Sequence, residues 1–253
     1  NNLQGIEQYP TLLRAILEEN AYVDKPFIVV LTPGRFNSAY YEHAFLAREM
    51  DVPLVTSRDL FVENDKVFAK TIRGRQQVDV IYRRVDDEFL DPLVFRADST
   101  LGVAGLMSAY LQNNVVIANA PGTGVADDKS IYPYVDQMIQ YYLGENPILS
   151  NVPTYQCRDS EQLDYVLNNL EKLVVKEAQG SGGYGMLIGP QADQQQIEQF
   201  RQKIMQTPHL YIAQPTLALS VAPTLTTDGV AERHIDLRPF VLSSPYRTEI
   251  VPG

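Results

Sequence analysis

The first half of the sequence alternates short apolar runs with segments of helical character. The runs at 27–31, 78–82 and 115–118 are rich in Val, Ile and Leu, and runs of this length next to turn residues are typical of buried strands. The segments 38–50 and 101–111 have the character of helices. Strands that alternate with helices predict an α/β fold built on a parallel sheet.

After the loop at 119–124 the pattern changes. A helical stretch is predicted to open at 127–129. Asp159 and Gln162 resemble a capping box, and an amphipathic stripe of Leu and Val follows them. A further helix is predicted around 197–204 from the spacing of its apolar residues.

Two domains are predicted, over residues 1–120 and 121–253, with a hinge at 143–153. The first domain contains the parallel layer. Its remaining predicted elements are a short strand at 53–55 and a hairpin with turns at 63–65 and 71–74. The predicted strands of the second domain lie at 173–176, 186–188, 210–213 and 234–242.

A glycine-rich segment separates the apolar runs 173–176 and 186–188, which predicts a strand, a glycine flap and a second strand. The segment consists of Gly180, Ser181, Gly182, Gly183, Tyr184 and Gly185. Glycine allows backbone N–H groups to approach a ligand closely, as loops that bind phosphate require. Lys176 on the leading strand adds a positive charge nearby.

Other interpretations of the glycine segment are less consistent with its surroundings. It matches G-x-G-x-x-G, but a dinucleotide-binding loop needs a helix after the third glycine. Here Met186–Ile188 are followed at once by Gly189 and Pro190, which leave no room for that helix. The chain has no Gly-Lys-Ser or Gly-Lys-Thr, so a Walker A loop is excluded. A glycine hairpin without a ligand remains an alternative.

Composition places the chain among ordinary globular proteins, with 45% hydrophobic and 21% charged residues in 253. The net charge of −10 argues against nucleic acid as a partner, and anionic substrates would need locally placed Lys and Arg. The single cysteine, Cys157, excludes an intrachain disulfide and fits a reducing, cytoplasmic location. We expect Cys157 to be a small buried residue. No segment is apolar enough to predict a membrane span, and the sequence does not indicate an oligomeric state.

Two polar clusters could carry chemistry. If 234–242 is one strand, His234, Asp236 and Arg238 share a face. Arg84 and Asp86 follow the strand at 78–82, and the carboxyl ends of strands in open α/β sheets bind ligands. A solvated strand face and a surface ion-pair cluster are the respective alternatives.

Several classes of site lack support in the sequence. His43 is expected to be a hydrogen-bonded helix histidine, and no spacing typical of metal ligands occurs. The absence of G-x-S-x-G gives a serine hydrolase no support, and the absence of His-Arg-Asp and Asp-Phe-Gly excludes a protein kinase.

The ordered set Lys129, Lys176, Gln214, Asp236 and Arg238 resembles the ATP-grasp fold. The resemblance implies one lysine before the grasp, a second on the strand before a flexible loop, and a hinge strand at the adenine. It also implies an Asp-x-Arg strand that reaches phosphate or substrate.

The sequence is still more similar to the circularly permuted ATP-grasp family labelled as glutathionylspermidine synthase-like. The phrases that carry this similarity are Leu31–Gly34, Ala39–His43, Tyr82–Asp86, Asp91–Leu93, Asp127–Lys129, Tyr142–Glu145 and His234–Phe240. The resemblance implies a Rossmann-like pre-ATP-grasp layer followed by ATP-grasp α+β subdomains with a glycine-flap hairpin. It also implies ATP and Mg²⁺ as cofactors, with the metal ligands in a segment N-terminal to this sequence. Further family sequence is expected after its end, so the chain is interpreted as a piece of a longer protein.

The function that these features imply is an ATP-dependent carboxylate–amine ligase acting through an acyl phosphate on small-molecule or peptide substrates. Lys129 and Lys176 would contact the α- and β-phosphates, and Gln214 the adenine. The flap would close with Ser181, Gly182, Gly183, Tyr184 and Gly185, and Asp236 would lie on the phosphate-binding strand. Arg238 would contact the transferring phosphoryl group or carboxylate, with Arg84 and Asp86 at the acceptor. Because no metal strand is present in the sequence, a non-catalytic nucleotide-binding or scaffold module is the alternative.

Overall fold

The structure is a computed structural model that describes residues 5–180 and 185–251. Its contacts divide the chain into two compact units, Asn1–Gly122 with Asp236–Gly253, and Thr123–Ile235. We call them the first and the second unit. The predicted division into 1–120 and 121–253 remains a prediction, and it differs from the contacts in where the last residues belong.

The first unit contains a four-stranded sheet in the order β2-β1-β6-β7, in which every pair is parallel. The predicted α/β fold is therefore confirmed. The elements up to residue 122 are α1 (Tyr9–Glu19), β1 (Ile28–Leu31), α2 (Tyr40–Glu49), β2 (Leu54–Val55), β3 (Leu60–Glu63), β4 (Lys66–Thr71), β5 (Gly74–Gln77), β6 (Val80–Arg83), α3 (Leu106–Leu111) and β7 (Val116–Ala118). The predicted hairpin is the antiparallel sheet β3-β4-β5.

Both faces of this parallel sheet are covered. Alternate residues of its central strands therefore pack into two different hydrophobic cores. Ile28 and Val30 of β1 pack with the buried residues of α1 and α2. Val29 and Leu31 pack on the opposite face with α3 and the β3-β4-β5 sheet. Burial on both faces explains why these strands are continuous apolar runs and not alternating ones.

Helix α3 begins at Leu106 rather than at residue 101 as predicted. Gly105 precedes it with a φ of +83°, a left-handed conformation that an α-helix cannot continue through. The carboxylate of the buried Asp91 accepts hydrogen bonds from the backbone N–H groups of Gly105 at 3.1 Å and of Met107 at 2.9 Å. This side chain therefore caps the helix and fixes its first residue.

The second unit has a four-stranded antiparallel sheet in the order β10-β9-β11-β8. The elements of the second unit are α4 (Val135–Leu143), β8 (Tyr155–Gln156), α5 (Ser160–Asn168), β9 (Leu173–Glu177), β10 (Leu187–Ile188), α6 (Gln194–Gln206), β11 (Tyr211–Pro215), β12 (Val221–Thr226) and β13 (Gly229–His234). The chain then returns to the first unit, where it forms β14 (Phe240–Ser243) and β15 (Thr248–Val251). Helices α5 and α6 supply Val166, Ile197 and Ile204 to the core of this sheet.

The two strands predicted around the glycine flap are present as the antiparallel pair β9 and β10, with Val175 opposite Leu187. Ser181, Gly182, Gly183 and Tyr184 lie outside the described residues. The start of α5 also follows the prediction in part, since the Asp159 carboxylate accepts the Gln162 N–H at 3.0 Å. The Gln162 side chain, however, bonds Gln156 instead of completing the capping box.

The single strand predicted over 234–242 is wrong. Strand β13 ends at His234, and β14 starts at Phe240, with no regular structure between them. The ladder with β12 ends at the pair Val221 and His234. Pro239 cannot donate a backbone hydrogen bond, which further limits strand pairing in this segment. The helical stretch predicted from 127 is a 3₁₀ helix over Lys129–Tyr134 that leads into α4.

Candidate functional site

Neighbouring strands of the second unit bring Lys176 and Gln214 together. Lys176 of β9 lies opposite Ile212 of β11, and Gln214 is two residues further along β11. Residues in this diagonal relation point to the same face of an antiparallel pair. The Lys176 ammonium donates a hydrogen bond to Gln214 Oε1 at 2.9 Å, so the two predicted residues are in direct contact.

A chain of hydrogen bonds continues from Gln214 to the start of β8. Gln214 Nε2 donates to Thr154 Oγ1 at 2.9 Å, and the Thr154 hydroxyl donates to the carbonyl of Val152 at 2.9 Å. The amide of Gln214 is therefore held in one orientation, with its oxygen toward Lys176. Thr154 was not predicted from the sequence, because nothing in its surroundings marks it and it lies 60 residues from its partner.

Lys129 begins the 3₁₀ helix that precedes α4, and it also contacts the end of β9. The Asp128 carboxylate caps this helix by accepting the Ser130 N–H at 2.9 Å. The backbone N–H of Lys129 bonds the carbonyl of Ala178 at 2.9 Å. Its ammonium donates to the carbonyl of Gly180, the residue where the glycine segment begins.

These side chains line one cleft of about 230 Å³ within the second unit. Its lining residues are Lys129, Tyr132, Asn151, Val152, Lys176 and Gln214. None of them is acidic. The Asn151 side chain bonds the carbonyl of Tyr132 at 3.1 Å, which ties the predicted hinge at 143–153 to the wall of the cleft. Sequence reasoning missed Tyr132 and Asn151 as well, since polar residues in irregular segments give no periodic signal.

The electrostatics of the cleft favour an anion. Burial, and after it the positive charge of Lys129, lower the pKa of Lys176 below its usual value. Lys176 has only the neutral Gln214 as its hydrogen-bond partner among the described contacts. A polyanion placed between two such ammonium groups would relieve their mutual repulsion. The cleft therefore has the chemistry of a phosphate-binding site.

Gly185 is the one glycine of the flap that the structure describes besides Gly180. Its φ is +66°, and a Cβ at this position would lie 2.7 Å from Glu177 Oε1. A side chain here would be strained both by the backbone conformation and by the crowding.

Two neighbouring arginines at the end of β6 in the first unit, Arg83 and Arg84, have different surroundings. Arg83 is buried, and its guanidinium donates to the carbonyls of Asn119 at 2.6 Å, Ala120 at 3.1 Å and Val85 at 2.8 Å. It also forms an ion pair with Asp87 at 2.6 Å. Arg83 therefore joins the ends of β6 and β7 and is structural.

Within the described part of the chain, Arg84 forms an ion pair with Glu42 at 2.6 Å. Asp86 is exposed and precedes a 3₁₀ turn without capping it through its side chain. The surface ion pair that the sequence left open is therefore present, and it uses Arg84 with a residue of α2.

Asp236 and Arg238 lie in the irregular segment between β13 and β14. They form an ion pair at 2.7 Å in which the side chains are 70% and 85% exposed. The contacts assign both residues to the first unit, whereas Lys129, Lys176 and Gln214 belong to the second. Asp236 and Arg238 are therefore solvated, as in the alternative given for this segment from the sequence, although the segment is not a strand.

Two further expectations concern His43 and Cys157. His43 is buried, and its Nδ1 lies 2.8 Å from Thr32 Oγ1, so it is the hydrogen-bonded helix histidine that we expected. Cys157 is buried as predicted, and burial raises its pKa to about 12.

Within residues 5–180 and 185–251, no group of three or more His, Cys, Asp or Glu side chains could hold a metal ion. No helix among the same residues is both long and apolar enough to cross a membrane.

Comparisons with known proteins give relatives that are longer than this chain. An uncharacterized protein, sll0335, of Synechocystis sp. is 53% identical over 253 residues, which are 99% of this chain and 53% of that protein. The uncharacterized protein Rv2411c of Mycobacterium tuberculosis is 47% identical over 255 residues, covering 100% of this chain and 46% of its own length. The chain thus spans about half the length of these relatives.

A protein of Frankia alni named "Putative glutamate--cysteine ligase 2-3" is 44% identical over 221 residues, which are 87% of this chain and 26% of that protein. Among solved structures, that of the ATP-grasp ligase PsnB complexed with minimal precursor is similar to this chain. The match covers 90% of this chain and 75% of the PsnB chain. Its TM-score is 0.41, and its sequence identity is 15%.

The family described as "Circularly permuted ATP-grasp type 2" matches residues 1–253, the whole of this sequence. The chain therefore belongs to the circularly permuted ATP-grasp type 2 family.

Proposed function

We propose that the protein of which this chain is part is an ATP-dependent carboxylate–amine ligase, and that the cleft of the second unit binds the nucleotide. A substrate carboxylate oxygen would attack the γ-phosphorus of ATP, and ADP would leave. An amine would then attack the carbonyl carbon of the acyl phosphate, and inorganic phosphate would leave. This chemistry needs positioning and charge neutralisation rather than a protein nucleophile.

The observation that carries the proposal is the pair of ammonium groups, Lys129 and Lys176, in one cleft without an acidic residue in its lining. Gln214 at the same cleft presents a side-chain amide in a fixed orientation, which suits a hydrogen bond to a nucleotide base. Family membership and the ligase name of the Frankia relative support an ATP-dependent ligation. The glutathionylspermidine synthase-like subtype is part of the proposal.

The proposed roles follow the same residues. Lys129 and Lys176 would neutralise the α- and β-phosphates, and Gln214 would contact the adenine. The glycine segment with Ser181, Gly182, Gly183, Tyr184 and Gly185 would supply backbone donors. Arg238 and Asp236 would act on the transferring phosphoryl group or the carboxylate, and Arg84 and Asp86 on the acceptor.

Mg²⁺ would neutralise charge on the phosphates when bound. The proposal places its protein ligands in another part of the protein, as the family resemblance implies, and no cluster of three or more candidate ligands occurs among the described residues. The substrates proposed are a small-molecule or peptide carboxylate and an amine, and the proposed location is cytoplasmic.

The test uses the full-length protein with Lys176→Ala and, as a matched control, Lys172→Ala. Both variants remove one ammonium group, but Lys172 is 72% exposed and pairs only at 3.8 Å with its neighbour Glu171. We expect Lys176→Ala to reduce ATP turnover by about 100-fold, since a charged hydrogen bond to phosphate contributes on the order of 1.5–3 kcal/mol. Lys172→Ala should retain turnover. Equal turnover in both variants would reject the site.

A non-catalytic nucleotide-binding module is the second candidate, because no metal-binding group occurs in the described residues. Calorimetry with Mg-ATP, followed by measurement of released phosphate with a panel of acids and amines, separates the two candidates. Binding without phosphate release by the full-length protein would favour the module. Release that depends on both an acid and an amine would favour the ligase.

A further inference from the structure

The parallel sheet of the first unit has a topological switch point between β1 and β6. Strand β1 connects through α2 to β2 on one side, whereas β6 connects through α3 to β7 on the other side. Helices α2 and α3 cover opposite faces of the sheet. The loops after two such strands separate at their carboxyl ends, and the crevice left there is where open α/β sheets bind ligands.

The two strands end side by side at this edge. Leu31, the last residue of β1, is the register partner of Arg83, the last residue of β6. The backbone N–H of Arg84 bonds the Leu31 carbonyl at 2.8 Å. Thr32 and Arg84 are therefore the first residues beyond the strands, and both belong to the rim of the crevice.

Polar groups at the crevice are held in place by buried contacts. The hydroxyl of Thr32 bonds His43 Nδ1 of α2 at 2.8 Å and accepts the backbone N–H of Gly34 at 3.2 Å. Burial, and then the positive charge of Arg84, lower the pKa of His43. The lowered pKa favours the neutral ring of His43, so Arg84 and not His43 presents positive charge to an anion.

Arg84 differs from its neighbour in what its guanidinium can still do. Arg83 is 9% exposed and has a carbonyl or carboxylate partner for each of its nitrogens. Arg84 is 26% exposed, and among the described residues its carboxylate partner is Glu42, whose own side chain is 52% exposed, while the Tyr82 hydroxyl accepts from it at 3.5 Å. A guanidinium offers five donors in a fork that fits a second carboxylate. Arg84 can therefore exchange Glu42 for another carboxylate without leaving a buried charge.

Two aromatic side chains at the same crevice are almost bare. Phe36, in the loop after β1, is 90% exposed, and Tyr41, next to Glu42 at the start of α2, is 80% exposed. The Phe36 ring lies against the Arg35 guanidinium at 4.9 Å, and Tyr41 stacks on Phe45 with ring centroids 6.5 Å apart. Both rings lie on the segment that follows β1, so this edge of the sheet offers exposed aromatic surface to the body of a ligand.

We propose that this switch-point crevice binds a carboxylate-bearing substrate, with Arg84 exchanging its Glu42 partner for the substrate carboxylate and Phe36 and Tyr41 contacting the body of the molecule. The proposal rests on the ligase function proposed above. It adds to it a place in the first unit where the carboxylate is held, and assigns Glu42 as the group that occupies Arg84 before substrate binds.

If the substrate carboxylate replaces Glu42 at Arg84, substitutions of these two residues should change the affinity for the substrate in opposite directions. Arg84→Gln removes the group that binds the carboxylate, and we expect affinity to fall by about 10-fold or more. Glu42→Gln removes the competing carboxylate, so affinity should rise by about 3-fold or more. A pair that only stabilises the protein would not separate the variants in this way.

The experiment is calorimetry on the full-length protein with N-acetyl-L-phenylalanine as the probe and its C-terminal amide as the uncharged comparison. The matched control is Arg48→Gln, since Arg48 is an exposed arginine of α2 that pairs with Glu49. We expect binding of the acid but not of the amide, weaker binding in Arg84→Gln, stronger binding in Glu42→Gln and no change in Arg48→Gln.

The proposal is overturned if the acid does not bind at millimolar concentration, or if the two ion-pair variants change its affinity in the same direction or not at all. Mg-ADP binding by the same proteins reports separately on the cleft of the second unit. If the unsubstituted protein binds Mg-ADP but not the acid, the crevice is rejected and the proposed nucleotide site remains intact. Circular dichroism of each variant verifies that it is folded.

Discussion

Lys176 in the cleft of the second unit and Arg84 in the crevice of the first unit are both cations near the end of a strand, but they have different partners. Lys176 contacts the neutral amide of Gln214 and is repelled by the charge of Lys129. Arg84 contacts the carboxylate of Glu42. The first cation is uncompensated, and the second is already neutralised.

This difference indicates two ways to bind an anion. A cleft with excess positive charge binds an anion directly and gains the energy of the repulsion that it relieves. A neutralised arginine binds only what competes with its own carboxylate, which lowers affinity but rejects weak competitors. A polyanion such as a triphosphate suits the first, and a single carboxylate suits the second.

The largest effect that we expect is that of Arg83→Gln on the free energy of unfolding. It tests whether Arg83 is structural while its neighbour Arg84 is free to bind a ligand. Arg83→Gln should reduce the free energy of unfolding by about 3–5 kcal/mol, because it leaves Asp87 and several carbonyls without their buried partner. Arg84→Gln, its matched control, should cost no more than about 1 kcal/mol. Urea unfolding of both variants measures this, and equal losses would contradict the distinction.

A second prediction tests whether the two lysines of the cleft repel each other. Lys129→Ala should raise the pKa of Lys176, since it removes the neighbouring positive charge. Mg-ATP affinity should fall by about 10- to 100-fold. The extent of acetylation of Lys176 as a function of pH, read by mass spectrometry, measures the pKa. Lys172→Ala is the control, and a Lys176 titration that is the same in all three proteins would show that the charges do not interact.

The smallest effect concerns the hydroxyl of Thr154. Thr154→Val cannot accept the hydrogen bond of Gln214 Nε2, so the amide is free to turn its oxygen away from Lys176. We expect ATP affinity to fall by about 5-fold and the preference for ATP over GTP to decrease, since one neutral hydrogen bond contributes about 1 kcal/mol. Thr154→Ser keeps the hydroxyl and should bind like the wild type. Identical binding constants for the Val and Ser variants would remove Thr154 from the site.

The parallel layer was predictable because its central strands are buried on both faces. Continuous apolar runs such as 28–31 and 80–82 are visible in the sequence without knowledge of their neighbours. The order of the strands is not encoded in such runs, and so the switch point between β1 and β6 appeared only in the structure.

The hairpin of β12 and β13 was missed for the opposite reason. Side chains of both strands, including Leu225 and Val230, are exposed, so the apolar positions do not follow the burial pattern from which a strand is recognised. The strand expected over 234–242 failed because alternation continued in the sequence beyond the point where its pairing partner ended.

In the candidate site, the predicted residues that the structure brings into contact are those whose neighbours in sequence identify them. Lys176 and Gln214 lie on apolar strands, where a polar residue is conspicuous. Thr154, Glu42 and Thr32 enter their sites through contacts with residues distant in the chain, and the sequence around them gives no sign of those contacts.

The burial of Cys157 has a practical consequence for spectroscopy. Its thiol stays protonated at neutral pH and inaccessible to reagents, because burial keeps its pKa at about 12. A cysteine introduced in place of an exposed residue such as Phe36 would therefore be the thiol of this chain that a maleimide dye labels. Fluorescence from such a dye would follow ligand arrival at the chosen surface with little background from the native sulfur.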